Sequence, residues 1–315
     1  MAVNGNNAGN DGKNVYIVDK ESLEIIKRIR IPDSYNNTEL YTFSGKLVVA
    51  ANKYSNLNNR WYGWYQNNIK TVVAIYDISN PKLPKLDRYT QFDGTLSQSR
   101  VIGGKLYVIA TNPLTLPQIY AQEKDISEKF TETFSVRNTI PRIIDTYKKT
   151  LETKYTRENR PAIQCSDMEY ILPDKATADK YSFNPAFSLI AMIDITNTNT
   201  PIASKMIFGD VGEIHMSTKS LYLVSNIWSE STNNRCPMNA RCFAPSFGQS
   251  TTLVHKFTLN NTPASYVYTT LLNGNLLNQY SMDEEVNTGY FRVLTQVYGN
   301  WENGQNNNST ELSIL

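Results

Sequence analysis

The stretch "YDISNPKLP", Tyr76 to Pro84, returns as "IDITNTNTP", Ile193 to Pro201. Both read Asp-Ile-(Ser or Thr)-Asn with a proline four residues after the asparagine, and both follow an apolar run, "TVVAI" and "SLIAM". The likeness continues downstream, in "GGKLYVIATN" ending at Asn112 and "TKSLYLVSN" ending at Asn226. Leu106 lies 29 residues after Asp77, and Leu221 lies 27 after Asp194. A third copy opens the chain, where "NVYIVD" ends at Asp19 and Leu47 of "SGKLVVAAN" follows 28 residues on. A looser fourth runs from Thr258, at the end of "TTLVHKFT", to Phe291 in "NTGYFRVLT", 33 residues on. Self-similarity at a near-constant distance is the mark of a repeat architecture, and it limits the fold more than any composition does.

Each copy holds about four short strands. The first ends in Asp, the second is of the type "LEIIKRI", "KLDRYTQ" or "ASKMIFG", the third precedes a Gly, Ser or Asn turn, and the fourth is of the "LYVIA" type. Apolar positions alternate with period two in the outer strands, whereas "VVAIY" and "LIAMI" are almost wholly apolar, as strands covered on both faces must be. The expected fold is therefore an all-β propeller of at least four blades of four antiparallel strands, one blade per copy and part of a larger ring. A β-sandwich would explain the strands but not the repeat. The 20 Tyr, the many Asn and only 19% charged residues suit short strands joined by polar turns.

The whole of 1–315 reads as a single domain or a fragment of one, with an inserted segment at about 113–182 placed between blades. In it, "PQIYAQEKDISEKFTETF" and "PRIIDTYKKTLETKYTREN" have helical spacing, with Ile119, Ile126 and Phe130 on one face and Ile144, Tyr147 and Leu151 on another. At the other end "TELSIL" starts a first strand with no partner strands after it. The exposed edge this leaves would invite other chains. The remainder of a longer propeller, or another copy, is the expected partner there.

A net charge of +2 gives no field to recruit nucleic acid or an anionic membrane. The longest uncharged apolar stretch, Tyr181 to Ile193, is too short and too polar for membrane insertion. The start "MAVNGNNAGNDGKN" lacks a basic n-region and an apolar h-region, so either the chain is cytoplasmic or a leader preceded Met1. Cys236 and Cys242, six apart in "RCPMNARC", are candidates for a local disulfide of an oxidising compartment, with free loop thiols as the alternative; the pairing of Cys165 stays open.

Three segments carry a family resemblance: "VAIYDISNPKLPKLDRY" with "GTLSQSRVIGGKLYVIATN", then "GEIHMSTKSLYLVSN", then "TTLVHKFTLNN" with "LLNQYSMDEEVNTGYFRVLT". The sequence resembles a family of uncharacterised secreted β-propeller-domain proteins of bacteria and archaea, in order over most of residues 15–315. The resemblance implies a propeller fold, an extracellular or cell-surface location, and a continuation beyond "ELSIL". It implies no catalytic residues. The family pattern near Asp283 carries a single acidic pair, from which Glu285 departs.

Candidate sites follow from residue types. Trp61, Tyr62, Trp64 and Tyr65, in the Asn-rich "NNRWYGWYQNN", could stack on sugar rings or anchor a protein partner. Arg100 and Arg292, in or beside late strands, are weaker ligand candidates. Asp283, Glu284 and Glu285 adjoin one another, and carboxylates with turn carbonyls supply half a calcium shell. A strand, however, sends Asp283 and Glu285 to one side and Glu284 to the other. Arg292 is the nearby counter-charge. His215 and His255 lie in strands of different copies, a poor basis for a metal or acid–base centre. No nucleophile elbow, phosphate loop, Rossmann glycine pattern or His-Glu-x-x-His occurs. The reading is a noncatalytic extracellular binding or scaffold module for a protein or glycan, without a cofactor unless calcium binds. Its rivals are a polysaccharide hydrolase or lyase with a channel site, and a structural subunit of a surface assembly.

Overall fold

The computed structural model describes residues 2–4, 14–32, 34–54, 69–114, 140–149, 154–164, 181–182, 186–229, 250–259, 263–298, 301–302, 305–306 and 308–315. The chain divides into two compact units, Met1–Glu169 with Ala186–Ile207, and Tyr170–Pro185 with Phe208–Leu315. Every pairing between its named strands is antiparallel.

In the first unit, β1 (Ala2–Asn4), β2 (Asn14–Val18) and β3 (Ile25–Arg30) form one sheet in that order. The next four strands, β4 (Tyr35–Phe43), β5 (Lys46–Tyr54), β6 (Ile69–Asp77) and β7 (Lys85–Asp93), also lie side by side. A third sheet takes β8 (Thr95–Ile102) and β9 (Lys105–Pro113), and after the inserted segment β13 (Ala186–Asp194) and β14 (Ala203–Phe208). The segment between supplies β10 (Arg142–Lys148), β11 (Tyr155–Pro161) and the short β12 (Tyr181–Ser182). In the second unit β12 and β15 (Glu213–Met216) both pair with β16 (Ser220–Ser229), followed by β17 (Ser250–Thr258) and β18 (Ser265–Asn273). The last four-stranded sheet joins β19 (Asn275–Leu276), β20 (Met282–Glu284), β21 (Phe291–Val297) and, past the small hairpin β22 (Trp301–Glu302) and β23 (Gln305–Asn306), β24 (Ser309–Ile314).

The strands are as expected, but sheet and sequence repeat are out of phase by two. Each of the middle sheets pairs the third and fourth strands of one copy with the first and second of the next: β4 and β5 with β6 and β7, β8 and β9 with β13 and β14. The Asp77-to-Leu106 segment therefore straddles two sheets instead of forming one. The cause lies in the connections. Third and fourth strands are joined by two-residue hairpins such as Ser44-Gly45 and Gly103-Gly104, both residues of each at positive φ, the primed-turn geometry that keeps two strands together. The short turn after the second strand, Gly94 in one copy and Gly274 in another, leads out into the next sheet.

Two recurring devices hold this arrangement. In the first, the lysine after the hairpin glycine pairs with the Asp that ends the following first strand. Lys46 reaches Asp77 at 3.0 Å and Asp87 at 2.5 Å, and Lys105 pairs with Asp194. The amides of Ile78 and Ile195 bond back to the carbonyls of Gly45 and Gly104. The Ser79 amide and hydroxyl, together with Lys46, hold the Asp77 carboxyl down to about 2. In the second device, Asn52 and Thr71, paired across β5 and β6, reach into the neighbouring sheet. Asn52 Oδ1 accepts the Leu96 amide at 2.7 Å, and Thr71 Oγ1 donates to the Gly94 carbonyl at 3.1 Å. The terminal Asn of "LVVAAN" thus ties one sheet to the turn that begins the next.

The sheets bury their inner strands on both faces. β5, β6 and β9 are buried through five or more consecutive residues. Val15 and Ile31 pack on Leu47, Val49 and Ala74, joining the first two sheets. Each buried Val, Ile or Leu among them contributes roughly 1.5–3 kcal/mol by leaving water.

The inserted segment departs from expectation twice. It does not lie between sheets but interrupts one, since β13 pairs directly with β9 from Ala186 to Asp194. And where Ile144 and Tyr147 were expected on a helical face, residues 142–148 form β10, with β11 beside it, extending the second sheet beyond β7. The buried positions are Ile143, Asp145 and Tyr147, a period of two. Asp145 hides that period in the sequence because a buried aspartate reads as a surface residue. Its countercharge, Arg88 of β7, donates to it from Nε at 3.1 Å and Nη2 at 2.5 Å, and Thr90 Oγ1 adds a bond of 2.8 Å. Arg88 Nη1 bonds the carbonyls of Thr198 and Thr200, and the guanidinium lies 4.8 Å from the centre of the Tyr147 ring. Leu151 and the expected face of Ile119, Ile126 and Phe130 fall outside the described residues. No helix among the described residues is long and apolar enough to cross a membrane.

His255, in β17, is 6% exposed, and its Nδ1 lies 2.7 Å from Thr269 Oγ1. Burial lowers its pKa from 6.5 to about 4, so the unfolded chain binds a proton that the folded chain refuses. The His255 contribution to stability is complete above pH 6.5 and drains away as the pH falls toward 4. The loss amounts to about 2–3 kcal/mol. Urea unfolding measured between pH 7 and pH 4 should show this decline, and His255→Gln should flatten it. Equal slopes in the two proteins would refute the assignment.

Candidate interaction surface

The last sheet collects the acidic stretch. Asn278 Oδ1 accepts the Tyr280 amide at 2.9 Å and opens a single 3-10 turn, Gln279–Ser281, that delivers the chain into β20. There Met282 and Glu284 are buried and Asp283 is exposed. Asp283 pairs with Arg292, directly across the ladder on β21. Glu285 lies past the strand and turns back on its own loop, accepting the amides of Asn287 at 3.1 Å and Thr288 at 2.6 Å. The Thr288 hydroxyl and these amides hold its carboxyl down to about 2.

Glu284 enters the core. Its Oε1 accepts the Tyr222 hydroxyl at 2.7 Å and lies 3.9 Å from Lys256 Nζ. Oε2 is buried and, among the described residues, meets no donor in hydrogen-bonding geometry. Burial opposes its charge, but Ser217, Tyr222, Ser220 and Lys256 together bring its pKa below the ordinary carboxylate value. The Tyr222 phenol is pushed up by burial and then by Glu284, so it stays protonated. Tyr222 also stacks on Phe291, with centroids 3.6 Å apart and planes within 5°, and Lys256 Nζ sits 5.2 Å from the centre of its ring. A charged carboxylate and a neutral phenol both titrate far from neutrality, whereas proton-transfer groups work best near the operating pH. The cluster's geometry is that of a pin between β16, β17 and β20.

The other side of this sheet is open. Arg292, Leu294 and Gln296 of β21 lie opposite Ile314, Leu312 and Thr310 of β24. Leu294, Leu312 and Ile314 are 45%, 58% and 60% exposed. Three neighbouring aliphatics on one face, flanked by the Asp283–Arg292 pair, form an apolar patch with a polar rim, the composition of a contact surface. "TELSIL" is not partnerless, since β24 completes the last sheet beside β21.

Arg100 is exposed on β8, in the first compact unit, while Arg292 belongs to the second. Asp283 and Glu285 point their carboxylates at different partners, and among the described residues no group of three or more His, Cys, Asp or Glu side chains is placed to hold a metal ion. His215 lies against Phe291, 5.5 Å between ring centres, while His255 bonds Thr269. Trp61, Tyr62, Trp64, Tyr65, Cys165, Cys236 and Cys242 lie outside the described residues. No local motif in the sequence marks the roles of Tyr222, Lys256 and Glu284, which meet from three separate strands. A period-two reading of "LDRYTQFD" would have placed Arg88 on the inner face with Thr90 and Phe92.

A family model described as a beta propeller domain matches residues 6–315. Comparison with curated proteins and with solved structures found no match.

Proposed function

Since the chain belongs to the beta propeller domain family, a fold suited to binding or scaffold-type modules, we propose that it is a noncatalytic module acting outside the cell on a protein or glycan partner. One observation carries this reading. Asp283 and Arg292 are spent on each other, Glu284 on Tyr222 and Glu285 on its own turn, while the same sheet offers exposed Leu294, Leu312 and Ile314 to a partner. The resemblance to secreted proteins and the Cys236–Cys242 spacing support an extracellular setting. The aromatic run Trp61, Tyr62, Trp64 and Tyr65 is the second proposed contact, through stacking on sugar rings or anchoring of a protein.

The test has two arms. A panel of polysaccharides and chromogenic glycosides, with and without calcium, should show no turnover. Hydrolysis or elimination that disappears in Asp283→Asn would establish the enzymatic rival instead. On a glycan array, the double variant Trp61→Ala/Trp64→Ala should keep the wild-type unfolding midpoint and lose about 2 kcal/mol or more of binding. Undiminished binding would remove the aromatic run from the site.

A further inference from the structure

We infer that the exposed face of the β10–β11 hairpin binds an anionic polysaccharide, a chain of uronic acid residues whose carboxylates meet Lys148 and Arg157 while one sugar ring stacks on Tyr155. This names the glycan class for the binding-module reading and rests on it.

The face exists because the second sheet is wider than the first. The first sheet ends at β3, whereas the second runs on past β7 to β10 and β11. One row of register partners crosses the second sheet from Val49 through Ala74, Tyr89 and Thr146 to Arg157. Val15 and Ile31 cover its start, where Val49 and Ala74 are buried. Tyr89 and Thr146 are half-buried and Arg157 is exposed, so the cover runs out across β10. On the same side as Arg157 lie Lys148 and Tyr155, ladder partners and both exposed. On β3, Ile29 packs against the same cluster as Tyr89, and the exposed Lys27 lies two residues away on that side.

Charge is sorted between the two sides of the hairpin. Asp145 and Glu158, register partners, lie on the far side, where Asp145 takes Arg88 and Glu158 takes the Tyr147 hydroxyl at 3.1 Å and Lys149 at 3.2 Å. The open side carries Arg142, Lys148 and Arg157, and no carboxylate of β10 or β11. Asp93, beside Arg142, is held by Lys70 and by the Arg142 amide. Arg142 is bound to Asn159, its Nε 2.8 Å from Oδ1, whereas no ion pair among the described residues takes Lys148 or Arg157.

The platform is firm. On the far side Arg160 Nη2 donates to the Ile202 carbonyl at 2.9 Å and Ser204 Oγ to the Ala162 carbonyl at 2.5 Å, fastening the hairpin to β14 and the turn before it. On the open side the Tyr155 hydroxyl donates to the Leu86 carbonyl at 2.7 Å, which fixes the ring while the residue stays 55% exposed. A ring held in place this way stacks on a ligand at little entropic cost.

Composition selects the occupant. Folded partners favour surfaces poor in lysine and rich in apolar anchors, and single-stranded nucleic acid favours successive aromatic platforms. This face has cations, the neutral polar Gln91, Thr146 and Asn159, and one fixed aromatic ring. A uronate chain supplies carboxylates for the first, hydroxyls for the second and an apolar ring face for the third.

The probe is a fluorescein-labelled hexamer of mannuronic acid, read by fluorescence polarisation against the intact chain at about 0.15 M salt. Saturable binding is expected, weakening as salt rises, with none to the neutral mannose hexamer. Lys148→Glu/Arg157→Glu should weaken it by about tenfold or more, and Tyr155→Ala by about threefold or more. Lys20→Glu/Lys82→Glu, the same change of charge at two exposed turn lysines, should leave it unchanged. The unfolding midpoint of each variant checks that it folds. Absence of binding, equal binding of the neutral hexamer, or equal loss in the two charge variants overturns the proposal. So does tighter binding of polyglutamate or of an oligothymidylate, which would assign the face to an acidic peptide or to nucleic acid. Turnover of the hexamer would strike the noncatalytic reading and leave the site in place, while absence of binding removes the site and leaves the module a protein partner.

Discussion

Arg88→Met should lower the stability of the first unit by about 3–5 kcal/mol. Arg88 and Asp145 are 1% and 3% exposed. The guanidinium spends Nε and Nη2 on Asp145 and Nη1 on the carbonyls of Thr198 and Thr200. Methionine fills most of the volume but leaves a buried carboxylate facing only Thr90, and two carbonyls without their donor. Because the arginine joins β7, β10 and the turn after β13, the loss should appear as fraying of the β10–β11 hairpin along with the global shift. Hydrogen exchange at Ile143 to Lys148 reports the first, and urea unfolding reports the second. The double variant Arg88→Met/Asp145→Leu should recover most of the stability, since an apolar pair of similar volume escapes the cost of desolvating charge. A single variant within about 1 kcal/mol of wild type would show that the pair is not the hub its geometry indicates.

How much of this was visible in the sequence depends on the reach of each interaction. The strands were legible because their determinants are local: alternation in "KLDRYTQFD", continuous apolarity in "TVVAIYD", and glycines where a two-residue hairpin needs positive φ. The opposite faces of Asp283 and Glu284 followed from strand geometry, whereas Glu285, expected on Asp283's side, lies past the strand in its own turn. The phase of the sheets did not follow, because it depends on which neighbours a turn connects. Gly45 and Gly94 are both single-glycine turn signals, yet one closes a hairpin and the other crosses to a new sheet. The β10–β11 hairpin was misread as helix for a related reason. Asp145 belongs on a buried face only because Arg88 stands 57 residues away, and no window around Asp145 contains it. In the same way Glu284 is matched by Tyr222, 62 residues earlier. Nothing in "SMDEEV" distinguishes it from its exposed neighbours.

The two crossing glycines make the phase of the sheets testable, and Gly274→Ala is the sharper case. Gly274 has a φ of +78°, and an added Cβ would stand 2.5 Å from the Gln296 carbonyl oxygen and 2.9 Å from Val297 Cγ2. Both obstacles belong to β21, the centre of the last sheet, so neither can retreat without pulling a ladder strand. Left-handed backbone costs an alanine about 1–2 kcal/mol on its own. Adding displacement of main chain and of Asn226 and Thr252, which hold the Leu276 amide and the Gly274 carbonyl, the expected loss is about 3 kcal/mol or more. Gly289 supplies the control, for its φ is +77° but nothing lies within 4 Å of the new Cβ. Gly289→Ala should therefore cost only the backbone term, about 1 kcal/mol. The comparison separates close approach from conformational freedom, which a single substitution would confound. If Gly274 serves only to permit a positive φ, the two alanine variants will unfold at the same urea concentration. If its turn is clamped between sheets, Gly274→Ala will unfold well before Gly289→Ala, and its unfolding will carry the burial of Phe291 and Tyr222 with it, visible as loss of the stacked-ring signal in near-ultraviolet circular dichroism.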